Sequence, residues 1–130
     1  MEDVIAHAMS LGLTVKFRDL GRRSGELTSS GLILVNQNRP AKMQRTAIAH
    51  ECGHWVHGHD WTRDHDRPRD ERQADLYAAR LLITPTAYRE AEQLVGTHVG
   101  ALARELNVTV LLVELWRDAY LRQVGVVRAG

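Results

Sequence analysis

The sequence predicts an α+β chain, in which one helix and a small β-sheet come before a series of helices. Three patterns carry this prediction. Apolar residues recur at helical spacing over residues 3–11, just before Gly12. Residues 26–28 and 32–36 are short strand-like stretches on either side of a Ser-Ser-Gly turn. From Pro40 onwards, apolar residues mostly recur at three- and four-residue steps, which is typical of helices with one buried face.

The remaining elements follow in chain order. A strand over 13–17 completes a sheet region of about residues 13–36. Pro40 suits the first turn of a helix, where its missing N–H costs nothing, so a helix is predicted over about 40–57. A polar loop rich in His, Asp and Arg follows, over 58–69. Four later helices are predicted, at about 69–83, 85–94, 98–106 and 109–123. The last two form a C-terminal helical part at about 97–123.

Length and composition restrict the class of protein. With 130 residues, the chain is expected to form a single domain, 1–130. Its 44% hydrophobic and 25% charged residues argue against disorder. The net charge of +1 argues against nucleic acid or an anionic membrane as partner. A lone cysteine excludes an internal disulfide, and no apolar run is long enough for a membrane span, so a cytoplasmic protein is expected.

The run His50-Glu51-Cys52-Gly53-His54 lies inside the predicted helix 40–57. Residues four apart share one helix face, so His50 and His54 can bind one metal ion. Glu51 is offset by about 100° around the axis, where its carboxylate can take a proton from water and pass it to a leaving amine. Zinc-dependent peptide hydrolysis needs this convergence of two ligands and a base. Zn²⁺ is therefore the expected cofactor and Glu51 the expected catalytic residue.

The two residues inside the run have other uses. Cys52 lies about 200° around the helix from His50, so it points away from the metal and is predicted to be a small core residue. Gly53 lowers helix propensity. We expect that it permits the close approach of another backbone or of substrate.

A catalytic zinc needs a third protein ligand, and Glu71 is the candidate. It lies near the start of the predicted helix 69–83. Asp75 lies one turn further along the same face, either as a ligand itself or, as we favour, as an acceptor that orients a ligating imidazole. The alternative without a metal is that the helix dipole favours acidic residues at a helix N-terminus. This alternative explains Glu71, but it does not explain Asp75, which lies in the middle of the helix among apolar residues.

Several neighbouring side chains leave alternatives open. His57 and His59 lie just past the histidine pair, where either could be a third ligand, orient a ligand, or stabilise the oxyanion of a tetrahedral intermediate. A solvated histidine cluster is the more common outcome. Tyr77 and Arg80 are weaker candidates for the oxyanion role.

Two blocks of the sequence resemble the ImmA/IrrE metallopeptidases. In the first block, residues 31–59, a strand ends in Asn36 and Arg45 precedes the histidine motif. The second block, Glu71-Arg72-Gln73-Ala74-Asp75-Leu76-Tyr77-Ala78-Ala79-Arg80-Leu81-Leu82, is similar to the family segment Glu-x-x-Ala-Asn/Asp-x-Phe-Ala-Ala-x-Leu-Leu. Ile83-Thr84-Pro85 stands where the family usually has Met-Pro, and Tyr77 stands where it has Phe.

The resemblance implies a zincin-like minimal domain with chemistry of the gluzincin kind, and it implies that Glu71 is the third zinc ligand. Members of the family commonly cleave helix-turn-helix repressors of mobile elements or DNA-damage responses. We therefore predict a zinc-dependent endopeptidase that acts on a cytoplasmic protein. A transcriptional repressor is the substrate that the resemblance implies, by analogy only.

Other functions fit parts of the sequence. A metal-binding module without proteolysis would act on a regulator by protein–protein contact, and Glu51 would then have no use. Residues 98–122 look like a helix-turn-helix, but the second helix opens with an apolar run over 109–113, which suits core packing better than DNA. A zinc hydrolase of a non-peptide bond is a third alternative.

A peptidase must also hold its substrate. Many peptidases pair the scissile segment with an exposed sheet edge. We expect the strand at 32–35 to offer such an edge, and pairing along both of its sides would rule this out.

Overall fold

The structure, a computed structural model, describes residues 1–59 and 67–125. Within these ranges the elements are α1 (Glu2–Ser10), β1 (Thr14–Arg18), β2 (Gly25–Leu27), β3 (Leu32–Asn36), α2 (Ala41–Val56), α3 (Arg67–Leu82), α4 (Pro85–Val95), α5 (Val99–Leu106) and α6 (Val110–Gln123). The predicted α+β class and element order are confirmed. α3 begins at Arg67, slightly before the predicted 69, and most of the predicted polar loop lies outside the described residues.

The chain divides into two compact units, Met1–Ala78 and Ala79–Gly130. The first holds α1, the sheet, α2 and most of α3, and the second holds the end of α3 and the later helices. The single domain over 1–130 stays a prediction. Of the helices in the described ranges, none is long and apolar enough to cross a membrane.

β3 is the central strand of the three-stranded sheet, which has the order β1-β3-β2. It pairs in parallel with β1 and antiparallel with β2, with Gly25 opposite Val35 and Leu27 opposite Ile33. The expectation that residues 32–35 offer a free edge to substrate is therefore wrong. Ile33 and Val35 are fully buried, as the continuous apolar run of a central strand requires. In the described part of the chain, β2 is the edge strand next to β3 on its antiparallel side.

Asn36, where β3 ends, is fully buried and holds the loop that leads into β2. Its Nδ2 donates to the carbonyl oxygens of Gly21 and Arg23, at 2.9 and 2.8 Å, and its Oδ1 accepts from the N–H of Asn38 at 3.0 Å. A buried amide with its hydrogen bonds satisfied orders the chain around it. Asn36 thereby helps to position β2.

α2 lies at the centre of the first unit and packs against α1, β2 and β3. Ile48, Ala49 and Cys52 on this helix are fully buried. Burial raises the pKa of the Cys52 thiol to about 11, and the charge of Glu51 adds to the rise. Such a thiol is a poor nucleophile, in keeping with a core role.

The second unit is helical, with α5 packed against both α4 and α6. Thr84, His98 and Thr109 cap the three helices, each accepting a hydrogen bond from a backbone N–H in the first turn. The first turn of α6 exposes Val110 and Leu111. These apolar side chains stand where a DNA-recognition helix presents polar groups.

Candidate metal centre

His50 and His54 lie one turn apart on α2, with their rings edge to face. Their Nε2 atoms are 3.1 Å apart, and the ring planes meet at 87°. The helical repeat of 3.6 residues brings positions i and i+4 to the same face. The two Nε2 atoms are therefore directed at a common point.

Glu71, in the second turn of α3, brings a carboxylate to the same point. Its Oε2 lies 3.0 Å from Nε2 of His50, and its Oε1 lies 3.4 Å from Nε2 of His54. One ligand atom from each of the three side chains lies within 4.8 Å of the other two. The three residues predicted as metal ligands are thus brought together.

Asp75 lies on the other side of the His50 ring and accepts a hydrogen bond from its Nδ1 at 2.7 Å. Because a carboxylate only accepts, this Nδ1 carries a proton, so in the neutral ring that a metal binds the lone pair is on Nε2. That lone pair faces the oxygens of Glu71. A proton on the ring or a metal cation offsets the repulsion between these atoms, and two imidazoles with one carboxylate are a donor set that Zn²⁺ takes with three protein ligands. The residues fit zinc.

The electrostatics of the two histidines differ. Burial lowers the pKa of His50, but its hydrogen bond to Asp75 and the nearby charges of Glu51, Asp75 and Glu71 outweigh burial and raise it above the usual value. Burial is the main cause that lowers the pKa of His54 to about 4. His54 is therefore a neutral imidazole at neutral pH, which is the form that binds a metal.

Glu51 follows His50 in the chain and is only 8% exposed. Burial raises the pKa of its carboxyl to about 7; the charge of His50 opposes this rise, and Glu71 and Glu26 add to it. A group with a pKa near the working pH is suited both to take and to give a proton. Glu51 therefore has the properties of a general base beside the metal ligands.

One cleft of about 550 Å³ is lined by His50, Glu51, His54 and Glu71. The three residues of β2, Gly25 to Leu27, and Arg67 of α3 also line it. A Cβ placed on Gly25 would lie 3.2 Å from Cβ of Ala47 and 3.7 Å from Cγ of Glu51. β2 is thus packed closely over α2, directly beside Glu51.

The other candidate residues lie around this cleft in different ways. His59 contacts the far side of His54, with the two Nδ1 atoms 2.7 Å apart, so it lies behind a predicted ligand and not beside the common point. His57 is exposed and stacks on His59 at 5.5 Å between ring centroids. The hydroxyl of Tyr77 contacts Nε2 of His7 on α1. Neither His57 nor Tyr77 is among the described residues that line the cleft.

Sequence reasoning missed two residues near the site. Asp70 is 1% exposed, and its Oδ1 lies 3.3 Å from Nε2 of His59; Gln73 Oε1 lies 2.9 Å from the same atom. An acidic residue in a first helical turn is adequately explained by the helix dipole, so the pattern did not single out Asp70. Arg45, which the family resemblance emphasised, pairs with Asp3 on α1.

The comparison with known protein families agrees with this geometry. Residues 8–115 match the model of a peptidase family, M78, described as the IrrE N-terminal-like domain. No curated protein matches the chain significantly. The family match covers most of the chain and includes α2, the sheet and the whole of α3. The chain therefore belongs to the M78 family of peptidases with an IrrE N-terminal-like domain, a family of metallopeptidases.

Proposed function

We propose that this protein is a zinc-dependent endopeptidase, in which His50, His54 and Glu71 hold Zn²⁺ and Glu51 is the general base. One observation carries the proposal: the three ligand atoms converge within 4.8 Å, and the buried Glu51 lies in the same cleft. Membership of a peptidase family supports peptide-bond hydrolysis as the reaction.

The chemical role of each group follows from its structure and position. Bound zinc supplies Lewis acidity and lowers the pKa of water to about 7. The Glu51 carboxylate accepts a proton from the attacking water and then delivers it to the nitrogen of the leaving amine. Its pKa of about 7 suits both transfers at neutral pH. Asp75 orients the His50 ring through Nδ1.

β2 is the element that we assign to substrate binding. It is paired with β3 on one side and, in the described sheet, forms the edge on the other. Its residues line the cleft that contains Glu51. A peptide added to this edge would pass beside the general base, so the scissile segment has to be extended and free of its own backbone pairing.

The substrate that we propose is a cytoplasmic protein with such an extended or flexible segment. The family resemblance nominates a helix-turn-helix transcriptional repressor. A flexible linker between a DNA-binding part and the rest of a repressor would meet the steric requirement of the cleft. Cleavage in such a linker would separate the two parts.

The test is digestion of a candidate repressor, encoded beside this chain, by the zinc-loaded full-length protein and by its Glu51→Gln variant. We expect the wild type to produce defined fragments. Glu51→Gln should reduce the rate by at least about 10²-fold, because the amide cannot accept the proton. Bound zinc per chain, measured by mass spectrometry or emission spectroscopy, should be unchanged in the variant.

Glu90→Gln is a matched control, since Glu90 is an exposed carboxylate on α4. It should cut as the wild type does. Equal cleavage by wild type and Glu51→Gln would refute the mechanism. If neither cuts but both still block repressor function by binding, the protein is a metal-binding module that acts by contact.

A further inference from the structure

The nitrogen of His54 that faces away from Glu71 lies against another histidine. Nδ1 of His54 is 2.7 Å from Nδ1 of His59, and the rings lie 5.0 Å apart at 69°. The backbone holds His59 in place, because its N–H donates to the carbonyl oxygen of His54 at 3.0 Å. The His59 side chain is only 6% exposed. This is a buried and well-defined contact directly behind a predicted metal ligand.

The direction of these hydrogen bonds follows from the far end of the His59 ring. Its Nε2 lies 2.9 Å from Oε1 of Gln73 and 3.3 Å from Oδ1 of Asp70. The Gln73 oxygen accepts a hydrogen bond here, so Nε2 of His59 carries a proton, and the nearby Asp70 carboxylate favours the same proton. A neutral His59 ring then has its lone pair on Nδ1.

A lone pair on Nδ1 of His59 needs a donor, and His54 is the residue that faces it. Nδ1 of His54 therefore carries the proton, and its Nε2 presents a lone pair towards His50 and Glu71. The opposite tautomer would place two lone pairs against each other at 2.7 Å. The polarity of the contacts behind His54 thus selects the tautomer that a metal ligand requires.

We propose that His59 is a positioning residue for His54: with Asp70 behind it, it holds the His54 ring in the tautomer and orientation that direct Nε2 to the metal. The inference rests on the proposed function, because it uses His54 as a zinc ligand. In this proposal, the rings of the two histidine ligands are oriented by different partners. Asp75 accepts directly from His50, whereas Asp70 acts on His54 through a second imidazole.

The first test measures the tautomer without any metal. Long-range ¹⁵N–¹H spectra of the metal-free full-length protein distinguish a proton on Nδ1 from one on Nε2. We expect His54 to carry it on Nδ1 in the wild type. In His59→Leu, which has no acceptor, we expect a shift to the Nε2–H form or a mixture of the two. A wild-type His54 with its proton on Nε2 would overturn the proposal.

The second test measures zinc affinity by competition with a chelator. His59→Leu should weaken zinc binding by about 10- to 100-fold, the usual effect of removing a partner that orients a ligand. His59→Gln, whose amide can accept from His54 and donate to Asp70, should recover most of that loss. His57→Leu is the matched control, since its ring is exposed and next to His59, and it should bind zinc as the wild type does.

The outcomes separate a structural role from a positioning role. Should His59→Leu fold poorly, His59→Gln still decides the matter, because a well-folded His59→Gln protein with the wrong His54 tautomer contradicts the proposal. Unchanged zinc affinity in a folded His59→Leu protein would also refute it. Neither the tautomer measurement nor the zinc affinity depends on proteolysis. If both give the expected result but the protein cuts no substrate, the proposed peptidase activity is disproved and the role of His59 stands.

Discussion

Gly53 of α2 and Ala74 of α3 meet backbone to backbone. A Cβ on Gly53 would lie 2.8 Å from Cα of Ala74 and 3.0 Å from its carbonyl oxygen, and real Cβ atoms essentially never come so close. Gly53 lies one residue before the proposed ligand His54, and Ala74 lies one residue before Asp75. The contact therefore brings α3 near enough for Glu71 and Asp75 to reach the histidines of α2.

Gly53→Ala should weaken zinc binding. Alanine gains about 1 kcal/mol of helix propensity, but overpacking against backbone atoms costs about 1–3 kcal/mol, and the helices must separate to relieve it. We expect at least a tenfold loss of zinc affinity by chelator competition, with no gain in thermal stability. Gly100→Ala on α5 is the control, since the nearest atoms are those of the exposed His98 ring. Wild-type zinc affinity in Gly53→Ala would contradict this reading of the contact.

Asp75→Ala should loosen the other side of the metal centre. Without an acceptor at 2.7 Å, the His50 ring loses its preferred tautomer and its orientation. Zinc affinity should fall by about 10- to 100-fold. Asp75→Asn should lose less, because an amide oxygen can still accept from Nδ1. If the alanine and asparagine variants bind zinc equally well, Asp75 does not orient His50.

Much of this metal centre can be predicted from the sequence, because it depends on helix periodicity. The four-residue spacing of His50 and His54 places both rings on one face, whatever the rest of the fold does. The apolar pattern after Pro40 identifies the helix, and the apolar residues around Asp75 make a solvated carboxylate a poor explanation. The sequence pattern therefore also predicts roles in the site for Glu71 and Asp75.

The remaining features depend on contacts between elements that local pattern does not encode. No periodicity relates His59 to Asp70, because the two meet only when α3 packs on α2. The order of the strands is likewise a tertiary property. The run Leu32 to Val35 does contain a signal, since continuous apolar residues are typical of a strand paired on both sides. The same run therefore argues against an edge position, as the pairing of β3 with both β1 and β2 shows.

Removing the metal should lower the stability of the protein. In the proposed site, zinc held by His50, His54 and Glu71 would stabilise the folded state by about 2.7 kcal/mol when free zinc is 100 times the dissociation constant. A chelator should therefore lower the melting temperature of the wild type by several degrees. His54→Ala should melt at the same temperature with or without chelator. A shift of equal size in wild type and His54→Ala would place the zinc elsewhere.

The ion pair between Asp3 and Arg45, which joins α1 to α2, should make stability depend on pH at the acid end. The hydrogen bond from Arg45 lowers the pKa of Asp3 well below its usual value of 3.8, although burial opposes the shift. A carboxyl whose pKa is lowered by folding stabilises the protein above its unfolded pKa, and this contribution is lost as the pH falls through the folded pKa.

Asp3→Asn should therefore be less stable than the wild type in urea unfolding at pH 7. The difference should be below about 1 kcal/mol, because the Asp3 side chain is 58% exposed and water screens such pairs. It should persist at pH 5 and shrink as the pH falls below 3.8. In an Arg45→Gln background, most of the difference should disappear at every pH. An unchanged difference in that background would mean that Asp3 acts through its own helix terminus and the hydrogen bond to the N–H of Val4, not through Arg45.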